Sequence, residues 1–250
     1  MGNDGNNSKE GIIPYAISDI FDKCNAMQDD GIKTTLELSY MEVYKEECFD
    51  LLSSQRTKCD IREGSKGDTY VEGLSHRRVL NPEDVQELLS GVARLRSTAK
   101  TAMNSQSSRS HAICTFTLTT TKEVPSDSEG GMGTVVTSKS SLHLVDLAGS
   151  ERAKKTMATG EIFSEGVNIN KGLLALGNVI VALSSQGSGS SHVPYRDSKI
   201  TRILKDSLGG NSMTVMIACV SPADTNFEET LNTLRFASRA SNIVNSTVAN

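Results

Sequence analysis

The chain has 250 residues, with 26 lysines and arginines against 30 aspartates and glutamates, for a net charge of −4. At 26.8 kDa it can bury one sizeable core, and its 37% apolar and 22% charged content excludes a disordered or membrane-embedded composition. No run approaches the roughly 18 apolar residues of a spanning helix, and the opening MGNDGNNSKEG lacks the basic start and apolar stretch of a secretory signal.

In chain order, Leu36, Leu38 and Tyr40 alternate with Glu37 and Ser39, which predicts a strand whose phase shifts near Met41. Asn81-Pro82-Glu83-Asp84 is a helix start: a capping side chain, proline in the first turn, then acids against the dipole. Val85, Leu88, Leu89 and Val92 follow on one face. Cys114, Phe116 and Leu118 alternate with threonines in a second strand, and residues 122–140 are expected to be a flexible connection. Leu142, Leu144, Val145 and Leu147 predict a strand buried in a sheet. A helix with Leu173, Leu176, Ile180 and Leu183 on one face stops at the Gly/Ser run SQGSGSS. Met213–Val220 reads as another buried strand, and Thr225 with Glu228 as a capping box before Phe227, Leu231 and Leu234. This alternation predicts one α/β domain with helices on the faces of a sheet. Cys24, Cys48, Cys59, Cys114 and Cys219 lack metal-ligand spacing and read as reduced thiols, several in core strands.

Three stretches carry chemistry. In Asn104–His111, NSQSSRSH, consecutive hydroxyls can ligate Mg²⁺ and touch a phosphate, with the Arg109 charge beside them; alone, such a stretch is ordinarily just a turn. In Asp146–Glu151, DLAGSE, an apolar strand delivers a carboxylate, and three residues later Gly149 lets a backbone N–H approach a phosphate. Together these stretches look like two halves of a γ-phosphate sensor. In HVPYRDSKITRILKD, Arg196, Lys199, Arg202 and Lys205 recur every three residues, predicting a broad positive helical face; the ordinary reading is a solvated surface.

NSQSSRSH, LVDLAGSE, NINKGLLALGNVI, VPYRDSKITRIL and DSLGGNS resemble, in order, successive motifs of the kinesin motor domain, over about residues 11–245. TAMNSQSSRSHAI and IACVSPADTNFEETLNTLRFA look most like the chromokinesin branch. The resemblance implies an α/β, P-loop NTPase-like motor fold with a central mixed β-sheet and helices on both faces. Residues 1–250 would be the C-terminal portion of a single motor domain, ending in the start of a neck linker near 241–250.

It also implies ATP or ADP with Mg²⁺ as cofactors. Asn104, Ser107 and Ser108 would contact nucleotide in switch I, with Ser108 at the metal. In switch II, Asp146 would hold Mg²⁺ through water, the Gly149 N–H would sense the γ-phosphate, and Glu151 would pair with Arg109. Arg109, Glu151, Ser107 and Gly149 are thus the implied catalytic set. Lys154, Lys155, Lys171, His192, Arg196, Lys199 and Arg202 would face acidic tubulin. The implied function is microtubule-based movement driven by a microtubule-stimulated ATPase. The implied location is the cytoplasm and cytoskeleton, with spindle or chromosomes following from the chromokinesin likeness. Neither a membrane nor nucleic acid is expected as partner, since no stacking aromatics interleave with the basic run. The alternatives are a nucleotide-independent microtubule-binding module and a non-motor regulatory or scaffold fragment.

Nowhere does the sequence contain G-x-x-x-x-G-K-[ST]; GGMGTVVTSKS is the nearest glycine-rich stretch and lacks the Gly-Lys-Ser/Thr ending. The resemblance places that loop upstream of Gly11–Pro14, so the expectation is a fragment rather than a damaged motor. Two consequences are expected: inactivity alone, and a sheet edge with apolar surface left uncovered.

Overall fold

The structure is a computed structural model and describes residues 11–65, 67–100, 109–124, 134–149, 161–185 and 192–248, with side chains for all but 97–100 and 161–170. Helix α1 (Ile12–Asp29) leads into the long strand β1 (Lys33–Tyr44), which turns into β2 (Glu47–Asp50). β3 (Thr57–Glu63), β4 (Thr69–Glu72) and β5 (Arg77–Val79) precede α2 (Pro82–Lys100). β6 (His111–Val124) and β7 (Thr134–Asp146) form a long hairpin, followed by α3 (Glu161–Ser184), the short α4 (Lys199–Ile203) and α5 (Phe227–Ala240). The strand order is β4-β3-β2-β1-β6-β7, with β5 also on β1.

Every described strand pair is antiparallel, which corrects the expected mixed sheet. The reason is connectivity: β1 meets β2, and β6 meets β7, by direct hairpin return, whereas a parallel pair needs a crossover of a dozen residues or more.

β1 is the spine. Leu36, Leu38 and Tyr40 pack with Ile13 and Ile17 of α1, Val85 and Val92 of α2, and Phe116 of β6. Met41 and Val43 pack on the opposite face with Ile61, Ile113, Ile200 and Leu204. The apparent phase shift near Met41 is therefore no slip, because both faces are covered and the β1–β6 register runs unbroken from Lys33↔Thr121 to Val43↔His111. Leu38, with 0% exposure, contributes on the order of 2 kcal/mol by burial. At the α2 start, Asn81 Oδ1 accepts the Asp84 N–H at 2.8 Å, as its sequence predicts.

Four local expectations change. Residues 122–124 and 134–140 are strand, paired across the hairpin from Val124↔Thr134 inward. Leu142, Leu144 and Val145 lie in the last strand of the sheet and Leu147 just beyond its end, with Leu142 and Leu147 exposed. Met213–Val220 joins no sheet ladder among the described residues, and Met213 and Val215 are 89% and 84% exposed. Both apolar runs have the pattern of buried strands but no described strand on the side that would cover them. Finally, α5 is entered through a 3₁₀ turn, Asp224–Asn226, and its N-cap is Asn226, so Thr225 forms no capping box.

Four of the five cysteines are buried, all five are free thiols, and burial pushes those of Cys48 and Cys114 up to about 12. No helix among the described residues is long and apolar enough to cross a membrane.

Candidate functional site

The antiparallel register places the start of β6 beside the end of β7, with Ala112 opposite Asp146. That pairing brings the root of the serine-rich motif against the root of DLAGSE. The junction is bonded: the Ala148 N–H donates to His111 Nδ1 at 3.0 Å, with both residues buried. An accepting Nδ1 places the neutral ring's proton on Nε2. Burial lowers the His111 pKa to about 4, against the opposing pull of Glu46 and Asp146.

The neighbouring residue is fixed as firmly. Ser110 Oγ donates to Glu42 Oε1 at 2.6 Å in the interior. The Glu42 side chain, 4% exposed, also lies 2.8 Å from Arg56 Nη2 and 3.8 Å from Arg96 Nε. Arg56 stacks its guanidinium 3.7 Å over the Phe49 ring. Arg96 further hydrogen-bonds Tyr40, whose phenol burial pushes up to about 12 despite that arginine. A buried carboxylate is tolerable only when so compensated. Glu42 thus ties Arg96, ahead of residues 101–108, to Ser110, behind them. Sequence reasoning missed this cluster; the available signal was a glutamate inside the most apolar strand.

Of the expected nucleotide residues, Asp146 is exposed at the end of β7, Gly149 is half-buried three residues on, and Arg109 is half-buried just before β6. Asn104, Ser107, Ser108 and Glu151 lie outside the described residues, as do Lys154 and Lys155.

The basic run is less uniform than its spacing predicts. Arg196 lies in the 3₁₀ turn Tyr195–Asp197, Lys199 opens α4, and Lys205 lies beyond its end, so no single helix presents all four charges. Ser198 caps α4 by accepting the Ile200 N–H, and Thr201 Oγ1 donates to the Tyr195 carbonyl at 2.7 Å. Arg196 reaches Glu63 of β3 through two bonds, 2.8 and 3.3 Å. Arg202 turns inward, 3.9 Å from the same carboxylate and 3.5 Å from the Ile61 carbonyl. These arginines hold the Glu63 carboxyl below its ordinary pKa, chiefly through the Arg196 hydrogen bond. Lys171 on α3 and His192 are both exposed.

The fold is thus a mixed α/β one, an antiparallel sheet with helices, in which two polar loop roots are bonded at the ends of neighbouring strands. The chain belongs to the kinesin motor-domain family, whose pattern matches residues 1–243. It is 51% identical over 243 residues to the mouse chromosome-associated kinesin KIF4, covering 96% of this chain and 19% of that protein. It is 47% identical over 270 residues to Arabidopsis thaliana kinesin-like protein KIN-4C, covering 98% of this chain and 20% of the relative. The chain thus spans about a fifth of the length of these curated relatives. Among solved structures it resembles a KIF14 dimer with AMP-PNP in complex with a microtubule, with TM-score 0.87 and 44% identity over 98% of this chain and 68% of that one. A fast kinesin gives TM-score 0.83 and 42% identity over 97% and 66% of the two chains.

Proposed function

We propose that this chain is the part of a microtubule motor that senses the terminal phosphate of a bound nucleotide and grips the filament. The observation behind this reading is the Ala148–His111 bond, which makes the roots of the two motif loops one unit. A change of contact at either loop then reaches the other without crossing solvent.

The described groups fit one side of Mg-ATP. Asp146 offers an exposed carboxylate for a hydrated Mg²⁺, and Gly149 follows three residues on. Among the described residues no group of three or more His, Cys, Asp or Glu could hold a metal ion. The glycine-lysine loop for the inner phosphates is not in these 250 residues. Nucleotide turnover would need groups that supply those contacts. With them, Ser107, Ser108, Arg109 and Glu151 would complete the switches.

For the filament, the basic surface comprises Lys171, His192, Arg196 and Lys199, with Arg202 set further in and Lys154 and Lys155 assigned by family motif. Acidic tubulin is the partner such charge fits, as the microtubule-bound KIF14 structure supports. The cytoskeleton is the corresponding location, and the chromosome-associated relatives extend the proposal to chromosomes.

Two measurements test the reading. Calorimetry of this chain with Mg-ATP should show no saturable binding at micromolar concentrations; tight binding would mean a rebuilt site. Co-sedimentation with microtubules should succeed at low salt and weaken as salt screens charge over about 8–10 Å. Reversing Arg196 and Lys199 to glutamate should cost far more than reversing Lys122 and Lys139, two exposed lysines on the outer hairpin. Equal losses from both pairs would reject this surface.

A further inference from the structure

The turn between β1 and β2 breaks a local rule. Tyr44 and Glu47 close a hairpin with only Lys45 and Glu46 between them. Both have positive φ, 52° and 60°. A type I′ two-residue loop requires such angles at both positions, and Asn-Gly or Asp-Gly is the composition that adopts them readily. Lys-Glu does so at a cost of about 1 kcal/mol or more per residue. Strain of this kind persists where the surroundings over-determine it.

Those surroundings are visible. Glu46 Oε1 accepts the Ser198 hydroxyl at 2.7 Å, and Oε2 accepts the Lys199 N–H at 2.8 Å. The carboxylate thus seizes the entry of α4 from a hairpin about 150 residues away in sequence. Two of these groups, Glu46 and Ser198, lie with His111 against Gly172 of α3. A Cβ at Gly172 would meet His111 Nε2 at 3.3 Å, Glu46 Oε1 at 3.4 Å and Ser198 Oγ at 3.6 Å. A side chain there would need the imidazole and the carboxylate to give by a few tenths of an ångström. On its other nitrogen, the His111 ring holds the Ala148 N–H.

We infer that the Lys45–Glu46 turn is a clamp joining the basic segment 192–205 to the Ala148–Gly149 segment after β7, across Gly172 of α3, with Glu46 as its positioning residue. The chain of contact is Lys199 and Ser198 to Glu46, Glu46 and His111 to the bare backbone at Gly172, and His111 to Ala148. No bond joins Glu46 directly to Ala148, so coupling between them reports on the packed crossing itself. The inference goes beyond the proposed motor function and needs neither nucleotide nor filament for its test, so either can fail without the other.

The test is residue-resolved amide exchange on the full 250-residue chain. Glu46→Gln keeps the shape but loses one accepting oxygen. Gly172→Ala adds a methyl that must displace the imidazole or the carboxylate, while alanine itself favours helix, so the variant keeps its fold. In both, exchange at Lys199 and at Ala148 should accelerate together, by about three-fold or more relative to Leu38 and Phe116 in the central ladder. The double variant should add little to the larger single effect, as for residues acting in one unit. Acceleration at Lys199 alone would reduce Glu46 to a local helix cap and overturn the clamp. A uniform rise that includes the ladder amides, or no change at Ala148, would overturn it equally.

Discussion

His111 accepts the Ala148 N–H through Nδ1 only while that nitrogen is unprotonated, so acid competes directly with the junction between the two loops. Its folded pKa is about 4, against an ordinary 6.5, because burial outweighs the favourable charges of Glu46 from the β1–β2 turn and Asp146 from β7. A folded value below the unfolded one means the unfolded state binds the proton more readily. The stabilisation is therefore complete above about pH 6.5 and is lost as pH falls towards 4. The shift corresponds to an order of magnitude of about 3 kcal/mol, at roughly 1.36 kcal/mol per unit. His111→Asn keeps a side-chain acceptor and removes the titration. Urea midpoints at pH 7.5 and 4.5 should fall further for the native chain than for the variant (on the order of a kcal/mol or more apart). Equal falls would show that carboxylates elsewhere account for the acid sensitivity.

Among the elements, α4 and its approach differ most from their sequence pattern. A three-residue charge period suggests one helical face, but α4 has only five residues, and Arg196 precedes it in a separate turn. What orients the segment is tertiary: Glu46 at the entry, and Glu63 of β3 against Arg196 and Arg202. Glu63 therefore neutralises part of the surface proposed to meet tubulin. Glu63→Gln should strengthen low-salt co-sedimentation and steepen its salt dependence, with the thermal midpoint little changed because the pair is exposed. Unchanged or weaker binding would mean that the Arg196–Glu63 bond presents the arginine to its partner rather than restraining it. By contrast, α2 could be read from its sequence alone, because its start depends on Asn81, three residues from the N–H it caps.

For the whole molecule, the sheet ends at β7, whose outer side has no strand partner among the described residues, and Val135, Val136 and Leu142 are exposed along it. Met213, Val215, Ile217 and Val220 add a second exposed apolar run. Unpaired strand edges and apolar runs of this length promote association between copies. This chain alone should scatter light at micromolar concentration, and Val215→Lys with Ile217→Lys should reduce the scattering several-fold. A monodisperse native chain, or no improvement in the variant, would show that the run is covered in solution.

The sequence by itself determined the family and the elements β1, β6 and α2, but not α1 or β2 to β5. The legible elements rest on local spacing: alternation in β1 and β6 and the capped start of α2. The sequence also marked Met213–Val220 and Leu142–Leu147 as apolar, but not whether anything covers them, because a hydrophobic pattern states a preference and only neighbours satisfy it. The antiparallel pairing, the partners of Glu42, the inward turn of Arg202 and the crossing at Gly172 were decided by the tertiary structure. Each joins residues far apart in the chain, so no local window contains both halves of the interaction. A glutamate at position 42 or 46 looks like any other until the fold supplies the arginines, the hydroxyl and the backbone N–H that hold its charge.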